Sequence, residues 1–444
     1  MHNSACASDR PDPRRRALLA ATPMLSLQDM LRQVGSNATQ AAAGMPAAPA
    51  GVPARQLATD EVYWAQVAAA YAVDRRTVAL ENGYWGTMSR PVLKAYLQRV
   101  QQVNHDNAHY ARLQFPDDYR HLRARAAGAL RIDPRELALT RNATESLQLL
   151  IGGYNRLKPG DAVLYADLDY DAMITAMQWL RQRRGVEAIG IDLPQPATRQ
   201  SLIDAYAQAL QRHPRVKLML VTCIGHRTGL ALPVTEIVAL ARQRGVDTIV
   251  DATQAIGQRD IGIPDLGADF VGFNFHKWIG APLGVGGFYI RRERIADIDP
   301  HMGQAGPADS IDTRVHTGTV DFAAFLSLPA ALEAHERIGA ANKQARLQYL
   351  RDRWVHAVAD LSGLEVLTPD DPQLYGAMTS LRLRGQTSEQ QNAALAQRLL
   401  QQFGVMTTMR SGAASGACVR ATPALFTRME EIDRFAQALR SIAG

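Results

Sequence analysis

Short apolar segments alternate with helical patterns between residues 118 and 290, and this alternation constrains the fold more than any other feature of the chain. The helical segments are about 10–15 residues long, enough to cross a sheet and start a parallel neighbouring strand. The predicted strands are Leu137–Thr140, Ala162–Tyr165, Glu187–Ile191, Val216–Thr222, Gly245–Asp251, Phe270–Phe273 and Gly286–Ile290. We therefore predict an α/β fold with a mostly parallel, seven-stranded sheet flanked by helices.

The segments outside this sheet divide the chain into further parts. The predicted limits are an N-terminal tail over residues 1–60, an N-terminal arm over 61–102, a large domain over 103–327 and a small C-terminal domain over 328–444. Within the tail, residues 40–57 are rich in Ala, Pro and Gly, a composition typical of a flexible linker. A long helical stretch over 328–361, followed by shorter strand and helix patterns, predicts that the small domain is α+β.

The composition excludes several classes of protein. Of 444 residues, 47% are hydrophobic and 21% are charged, as in ordinary globular proteins. The net charge of +6 comes from scattered arginines rather than from one basic block, so we expect no nucleic-acid partner. No apolar stretch reaches the roughly 18 residues of a spanning helix, so we expect no membrane insertion. Cys6, Cys223 and Cys418 are too few and too far apart for a zinc site or a disulfide framework, and we predict no metal.

The N-terminal tail has a basic run before a short apolar run. Arg14-Arg15-Arg16 precedes the apolar segment 17–25, and the order resembles a twin-arginine export signal, which carries folded proteins to the periplasm. The small residues Ala41-Ala42-Ala43 lie farther from the apolar run than a signal-cleavage site normally does. An arginine-rich tail followed by a short amphipathic helix is the alternative, so the sequence leaves a periplasmic and a cytoplasmic location open.

Asp251 and Lys277 carry the strongest indication of function. The apolar, β-branched strand before Asp251 places this carboxylate at the C-terminal edge of the sheet, where α/β proteins bind their ligands. Lys277 follows after one more short strand, within the aromatic-rich run Phe273–Trp278. Pyridoxal phosphate (PLP) needs an amine that forms a Schiff base with its aldehyde and a carboxylate that keeps its pyridine nitrogen protonated. The two residues therefore predict a PLP site.

A helix start in the large domain offers a place for the cofactor phosphate. Thr140–Glu145 follows a predicted strand and opens a helix, with Asn142 or Thr144 as its cap. Backbone N–H groups and the helix dipole bind anions at such a position. A plain capping turn is the alternative interpretation of this segment.

With these residues in view, the chain resembles the class V aminotransferases of PLP fold type I, in the branch with isopenicillin N epimerase-like and cysteine desulfurase-like proteins. The resemblance runs from Asn82 to the C-terminus. Its segments, in chain order, are Asn82-Gly83, Thr140–Glu145, Val221–Gly229, Leu232-Pro233-Val234, Asp251 with Gln254, His276-Lys277-Trp278, Gly280–Gly284, Thr317-Gly318-Thr319 and Val419–Pro423. It implies the PLP-dependent transferase fold, with a large domain around the sheet and a smaller C-terminal α+β domain.

The resemblance also implies roles around the cofactor ring. Lys277 would hold PLP as a Schiff base and then move the Cα proton, and Asp251 would pair with the ring nitrogen. Gln254 would hydrogen-bond the ring hydroxyl oxygen. Tyr170 stands where the family stacks an aromatic ring on the cofactor, with a buried core tyrosine as the alternative.

Further roles concern the phosphate and the substrate. By resemblance, Ala143, Thr144 and His276 would bind the phosphate. Thr319 would reach the phosphate of a neighbouring subunit, which implies a homodimer with shared active sites. Arg420 would grip the substrate carboxylate. We also predict Asn82 to contact the substrate.

The implied function is that of a PLP-dependent enzyme acting on a small-molecule amino acid or on an aminoacyl side chain, through an external aldimine and loss of the Cα proton. An isopenicillin N epimerase-like reaction comes first, and an aminotransferase or oxidative decarboxylase of a siderophore-type glutamyl group is the alternative for an exported protein. Cysteine desulfurase or selenocysteine lyase chemistry is disfavoured, because Arg410–Ser415, where desulfurases carry their nucleophilic cysteine, contains none. A catalytically inactive PLP-fold binding protein is the non-enzyme alternative.

Overall fold

A seven-stranded sheet lies at the centre of the computed structural model, which describes residues 44–316 and 318–444. The strands in this part of the chain are β1 (Val78–Ala79), β2 (Leu137–Thr140), β3 (Ala162–Ala166), β4 (Glu187–Ile191), β5 (Val216–Thr222), β6 (Asp247–Asp251), β7 (Phe270–Asn274), β8 (Gly286–Ile290), β9 (Leu364–Val366), β10 (Thr379–Leu383), β11 (Val405–Met406), β12 (Thr408–Arg410) and β13 (Cys418–Ala421). In the central sheet the order is β2-β8-β7-β6-β5-β3-β4. Only β8 in this sheet pairs antiparallel, with β2 and β7, and the predicted mostly parallel α/β fold is confirmed.

Helices cover both faces of this sheet. Within the described residues, the α-helices are α1 (Ala54–Leu57), α2 (Glu61–Ala69), α3 (Arg90–Leu113), α4 (Phe115–Leu130), α5 (Ala143–Gly153), α6 (Asp171–Arg184), α7 (Arg199–Arg212), α8 (Val234–Gln243), α9 (Phe322–Leu326), α10 (Leu328–Ile338), α11 (Ala340–Ala357), α12 (Glu389–Phe403) and α13 (Met429–Ala443). Successive residues of β5 enter different cores: Leu218 and Leu220 pack on one face, and Met219 and Val221 on the other. Burial on both faces explains why the strands are apolar throughout rather than alternating.

The small domain is built on a separate antiparallel sheet with the order β12-β13-β10-β9. Its core includes Trp354 of α11 and Phe435 of α13, whose rings lie 5.1 Å apart. Strand β1 of the N-terminal arm pairs with β11, and Val78 joins this core. The arm therefore connects the edge of the large domain to the small one.

The small domain begins later than residue 328. The predicted helical stretch is broken at Gly339, which has φ +88° and separates α10 from α11. Helix α10 packs into the core of the large domain, as does Leu347 of α11, whereas Leu350 belongs to the core of the small domain. The change of domain thus falls inside α11, because its two ends bury their apolar residues in different cores.

The predicted flexible linker differs from the structure over its described part, residues 44–57. Met45 and Leu57 are buried in the core of the large domain, and the Ala48 N–H donates to the Arg337 carbonyl over 2.8 Å. These two apolar side chains anchor a segment whose Ala and Pro content alone indicates a linker. The basic run at residues 14–16 lies outside the described residues. None of the described helices is long and apolar enough to cross a membrane.

Candidate active site

A cavity of about 1580 Å³ opens at the carboxyl edge of the central sheet. Strands β5, β6 and β7 end at its floor with Thr222, Asp251 and Asn274. Eight of the predicted site residues line it: Ala143, Thr144, Tyr170, Asp251, Gln254, His276, Lys277 and Arg420. Residues from the N-terminal arm and the small domain complete the wall, so the site forms where these parts of the chain meet.

Lys277 and Asp251 form the charged centre of the cavity. The pKa of Lys277 is lowered to about 8, chiefly by burial; Arg420 and Arg410 also lower it, and Asp251 opposes them. Burial raises the pKa of Asp251, while a hydrogen bond from the Thr253 N–H over 2.8 Å and the charge of Lys277 act in the other direction. An amine with this pKa has a neutral, nucleophilic fraction near pH 7, as a PLP-binding lysine needs.

The residues on either side of Lys277 are held by hydrogen bonds to distant segments of the chain. The Gly86 N–H donates to the His276 carbonyl over 2.8 Å. The Trp278 indole donates to Gln254 Oε1 over 2.9 Å, and the Trp278 carbonyl accepts from Lys343 Nζ at 2.6 Å. A Cβ on residue 86 would lie 1.8 Å from the carbonyl oxygen of Lys277, so only glycine allows this close approach.

The side chains of Gln254 and His276 each make a hydrogen bond to a backbone carbonyl and each keep one further polar group for a ligand. Gln254 Nε2 donates to the Gly83 carbonyl over 2.9 Å and keeps a second N–H, which suits the ring hydroxyl oxygen of PLP. His276 Nδ1 donates to the Val285 carbonyl over 3.0 Å, which leaves Nε2 for another partner. Burial and the nearby Lys277 lower the pKa of His276 to about 4, so its imidazole is neutral at pH 7.

Helix α5 begins at the cavity with side-chain caps on its first turn. Asn142 Oδ1 accepts from the Glu145 N–H over 2.9 Å, and Asn274 Oδ1 accepts from the Ala143 N–H over 2.7 Å. The capping turn considered from the sequence is therefore present, and Thr144 lies on the cavity wall beside it. Because the helix N-terminus faces the cavity, its position fits the phosphate of PLP.

Tyr170 lies at the cavity surface with 39% of its area exposed, which argues against the alternative of a buried core tyrosine. Its ring meets His226 edge to face, with centroids 5.1 Å apart. His226 was not predicted as a site residue, although it lies within the Val221–Gly229 segment. Its Nδ1 has no hydrogen-bond partner among the described residues, and burial lowers its pKa to about 4.

Arg420 lies on β13 with only 1% of its surface exposed. Its Nη2 donates to both carboxylate oxygens of Glu81 at 2.7 and 2.9 Å, and its Nη1 donates to the His226 carbonyl. Burial lowers its pKa to about 10, so the guanidinium stays charged. Arg410 of β12 donates to the same carboxylate over 3.2 Å. No local pattern indicates the Glu81–Arg410 pair, because its members are far apart in the chain.

Two predicted residues do not line the cavity. Asn82 uses its side-chain amide to donate to the Ala79 and Thr422 carbonyls at 2.9 and 2.8 Å, which braces the arm against the small domain; its contact with a substrate stays a prediction. Thr319 is exposed and lies outside this cavity. Its contact with a neighbouring subunit stays a prediction.

Comparison with known proteins gives this site its context. The profile of the class V aminotransferases matches residues 90–435. The chain belongs to the class V aminotransferase family. It is 30% identical over 329 residues to an isopenicillin N epimerase of Streptomyces clavuligerus, covering 70% of this chain and 81% of that protein. A probable cysteine desulfurase of Xylella fastidiosa is 28% identical over 348 residues, covering 73% of this chain and 80% of that one.

Solved structures show the same fold. A cysteine desulfurase from Thermococcus onnurineus matches with a TM-score of 0.71 at 21% identity, covering 83% of this chain and 94% of that one. The cystine C-S lyase C-DES, with glycine linked to its PLP cofactor, also gives 0.71, at 22% identity, covering 83% and 99%. As a member of the class V aminotransferase family with this fold, the chain is a PLP-dependent enzyme of fold type I, and the buried Asp251, the amine of Lys277 and the start of α5 at the cavity fit that cofactor.

Proposed function

We propose that this enzyme acts at the Cα atom of an amino acid or aminoacyl group and epimerises it, as isopenicillin N epimerases do. The observation that carries the proposal is the grouping of Lys277, Asp251 and Arg420 in one cavity. Lys277 carries the cofactor covalently. Bound PLP supplies an electron-accepting ring that stabilises the charge left on Cα when its proton departs.

The residues of this chain then have distinct tasks. Arg420 binds the substrate carboxylate, which fixes the Cα–H bond relative to the cofactor. Once displaced from PLP by the substrate amine, the amine of Lys277 would accept the Cα proton on one face, and its pKa of about 8 leaves part of it neutral for this task near pH 7. Inversion then requires a proton delivered to the opposite face of Cα. Asp251 keeps a proton on the ring nitrogen. His276, whose single N–H is donated to the Val285 carbonyl, contributes a neutral imidazole with Nε2 as an acceptor on the phosphate side.

Cysteine desulfurase activity is the competing assignment, and the cysteines argue against it. The loop over residues 410–417 has no cysteine. Cys418 and Cys223 are buried, and burial raises the pKa of both thiols, so neither is a thiolate at pH 7. A persulfide-forming reaction needs an accessible thiolate near the substrate, which these two residues do not provide.

Incubation of the PLP-loaded enzyme in D₂O with L- and D-amino acids and with aminoacyl peptides distinguishes the reactions. Epimerisation incorporates deuterium at Cα of both enantiomers without accumulating the pyridoxamine form of the cofactor. A transaminase accumulates that form, and a desulfurase releases sulfide from cysteine. The Lys277→Ala variant serves as the inactive control. Accumulation of pyridoxamine phosphate with no exchange into the opposite enantiomer would overturn the epimerase assignment.

An aminotransferase or oxidative decarboxylase acting on a siderophore-type glutamyl group is a second candidate. The cavity of about 1580 Å³ must hold both PLP and the substrate, and its open mouth admits an amino acid carried on a larger molecule. The basic run at residues 14–16 supports export of such an enzyme to the periplasm. Fusion of residues 1–60 to a reporter tests export, and loss of export on Arg14→Lys/Arg15→Lys/Arg16→Lys substitution is the expected result.

We also propose a homodimer with shared active sites. Apolar side chains are exposed around the cavity mouth, among them Tyr84, Trp85, Leu283 and Met302, the last with 92% of its area exposed. Such a group of exposed apolar residues favours coverage by another protein surface. Light scattering should give twice the chain mass, and Thr319→Ala should weaken retention of PLP. A fully active monomer would contradict this assembly.

A further inference from the structure

Two guanidinium groups at the cavity wall share one carboxylate. Arg420 and Arg410 both donate through Nη2 to Glu81 Oε1, at 2.7 and 3.2 Å. Both arginines line the cavity, and Glu81 does not lie on its wall. The cluster of Arg410, Arg420 and Glu81 therefore has two positive charges and one negative charge, and its two arginines lie towards the cavity.

The same arginines have unused hydrogen-bond donors. The Nε–H groups of Arg410 and Arg420 are buried and have no partner among the described residues. Buried donors in proteins nearly always have an acceptor, and an unsatisfied one is destabilising. These Nε–H groups are closed to solvent, so a ligand in the cavity does not reach them; what a ligand carboxylate supplies at this wall is the missing negative charge beside the two guanidinium groups.

The position of Arg410 is held by contacts of the loop that follows it. Arg410 pairs with Cys418 in the antiparallel β12–β13 ladder. The next carbonyl, of Ser411, accepts from Arg227 Nε at 2.6 Å, and the Ala414 N–H donates to Asp167 over 2.9 Å. The loop is thus attached to the large domain, which fixes the backbone of Arg410 beside the cavity, and the bond to Glu81 directs its side chain.

We propose that Arg410 is a second carboxylate-binding residue, which together with Arg420 holds the α-carboxylate of the substrate, while Glu81 positions both guanidinium groups. Glu81 neutralises one of the two positive charges, and one substrate carboxylate would neutralise the other. This inference rests on the proposed function, since it assigns a further residue to the same substrate site. Both arginines also lower the pKa of Lys277, which indicates that both lie within electrostatic reach of the reacting amine.

Binding of a matched pair of ligands tests the role of Arg410. 2-Methylalanine has an amine and a carboxylate but no Cα proton, so it binds to the PLP-loaded enzyme and cannot lose a Cα proton. Its amide has the same amine but no carboxylate. Affinities for both follow from the change in cofactor absorbance. Arg410→Gln should weaken 2-methylalanine binding by about tenfold or more, the loss expected for one charge-assisted hydrogen bond, and leave binding of the amide unchanged.

Two further variants control for charge and for stability. Arg410→Lys keeps the charge without the planar guanidinium and should recover part of the affinity. Arg353→Gln removes an arginine of the small domain that pairs with Asp433 at 2.6 Å, away from the cavity, and should change neither affinity. Equal affinity of wild type and Arg410→Gln for 2-methylalanine, or equal loss for acid and amide, would overturn the inference. Loss of 2-methylalanine affinity in Arg410→Gln, in an enzyme whose wild type accumulates pyridoxamine phosphate without exchange into the opposite enantiomer, would instead keep the carboxylate role and refute the proposed function.

Discussion

Replacement of Gly86 by alanine should displace the backbone that carries Lys277. The added Cβ would lie 1.8 Å from the Lys277 carbonyl oxygen, whereas real Cβ contacts stay above 3.0 Å. The two segments must therefore separate by at least 3.0 − 1.8 = 1.2 Å. The hydrogen bond from the Gly86 N–H to the His276 carbonyl, 2.8 Å long, lengthens with that movement. Gly86 does not have a positive φ, so steric contact alone causes the effect.

The functional consequence follows from the size of this shift. Misplacement of a reacting group by about 1 Å can lower the rate by about 100-fold. We expect a loss of this order in kcat/KM, together with weaker PLP retention, and a destabilisation of about 1–3 kcal/mol from overpacking. Absorbance titration with PLP, steady-state kinetics and urea unfolding measure the three effects.

Gly128→Ala is the matched control. Gly128 lies inside α4, and a Cβ there would meet no atom within 4 Å. The same substitution should leave PLP binding unchanged and stabilise the helix by about 0.5–1 kcal/mol. If Gly86→Ala retains wild-type cofactor affinity and kcat/KM, the close contact between the N-terminal arm and the lysine segment does not position Lys277.

Three other substitutions have expected outcomes. Asp251→Asn removes the charge that raises the pKa of Lys277, so pH-dependent amine labelling should give a lower pKa, and turnover should fall on the order of 10²–10³-fold. Burial lowers the pKa of Lys343 from 10.5 to about 7. Between pH 7 and 10.5 the unfolded chain therefore binds more protons than the folded one, and the free energy of unfolding increases with pH. Lys343→Met should remove this increase when unfolding in urea is measured across that pH range. Burial raises the pKa of Asp169 from 3.8 to about 7, so stability decreases as pH rises between these values, and thermal unfolding of Asp169→Asn should lack that decrease.

Local sequence patterns predicted the central sheet well. Strands β2, β5 and β8 have the bounds expected from their apolar runs, because burial on both faces leaves few polar residues inside them. Asp251 and Lys277 could be predicted for a related reason. Asp251 ends a parallel strand and Lys277 follows the next one, and the carboxyl ends of such strands lie at one edge of the sheet. These features depend on residues close together in the chain.

Contacts between distant segments could not be predicted in the same way. The Glu81–Arg410 pair joins positions 329 residues apart, and no local pattern marks either residue. The buried Lys343 amine, which donates to the Trp278 carbonyl, lies on a helix whose sequence is like that of an exposed one. Residues 44–57 have the composition of a linker, yet Met45 docks into the core. In each case the tertiary partner decides the role of the residue.

The covalent attachment of the cofactor tests the account most directly. Borohydride reduction of the PLP-loaded protein, followed by digestion and peptide mass mapping, identifies the side chain bonded to the cofactor. The account predicts a reduced pyridoxyl group on Lys277 and on no other lysine. Coloured protein in which Lys277 stays unlabelled, or in which another lysine carries the group, would contradict it.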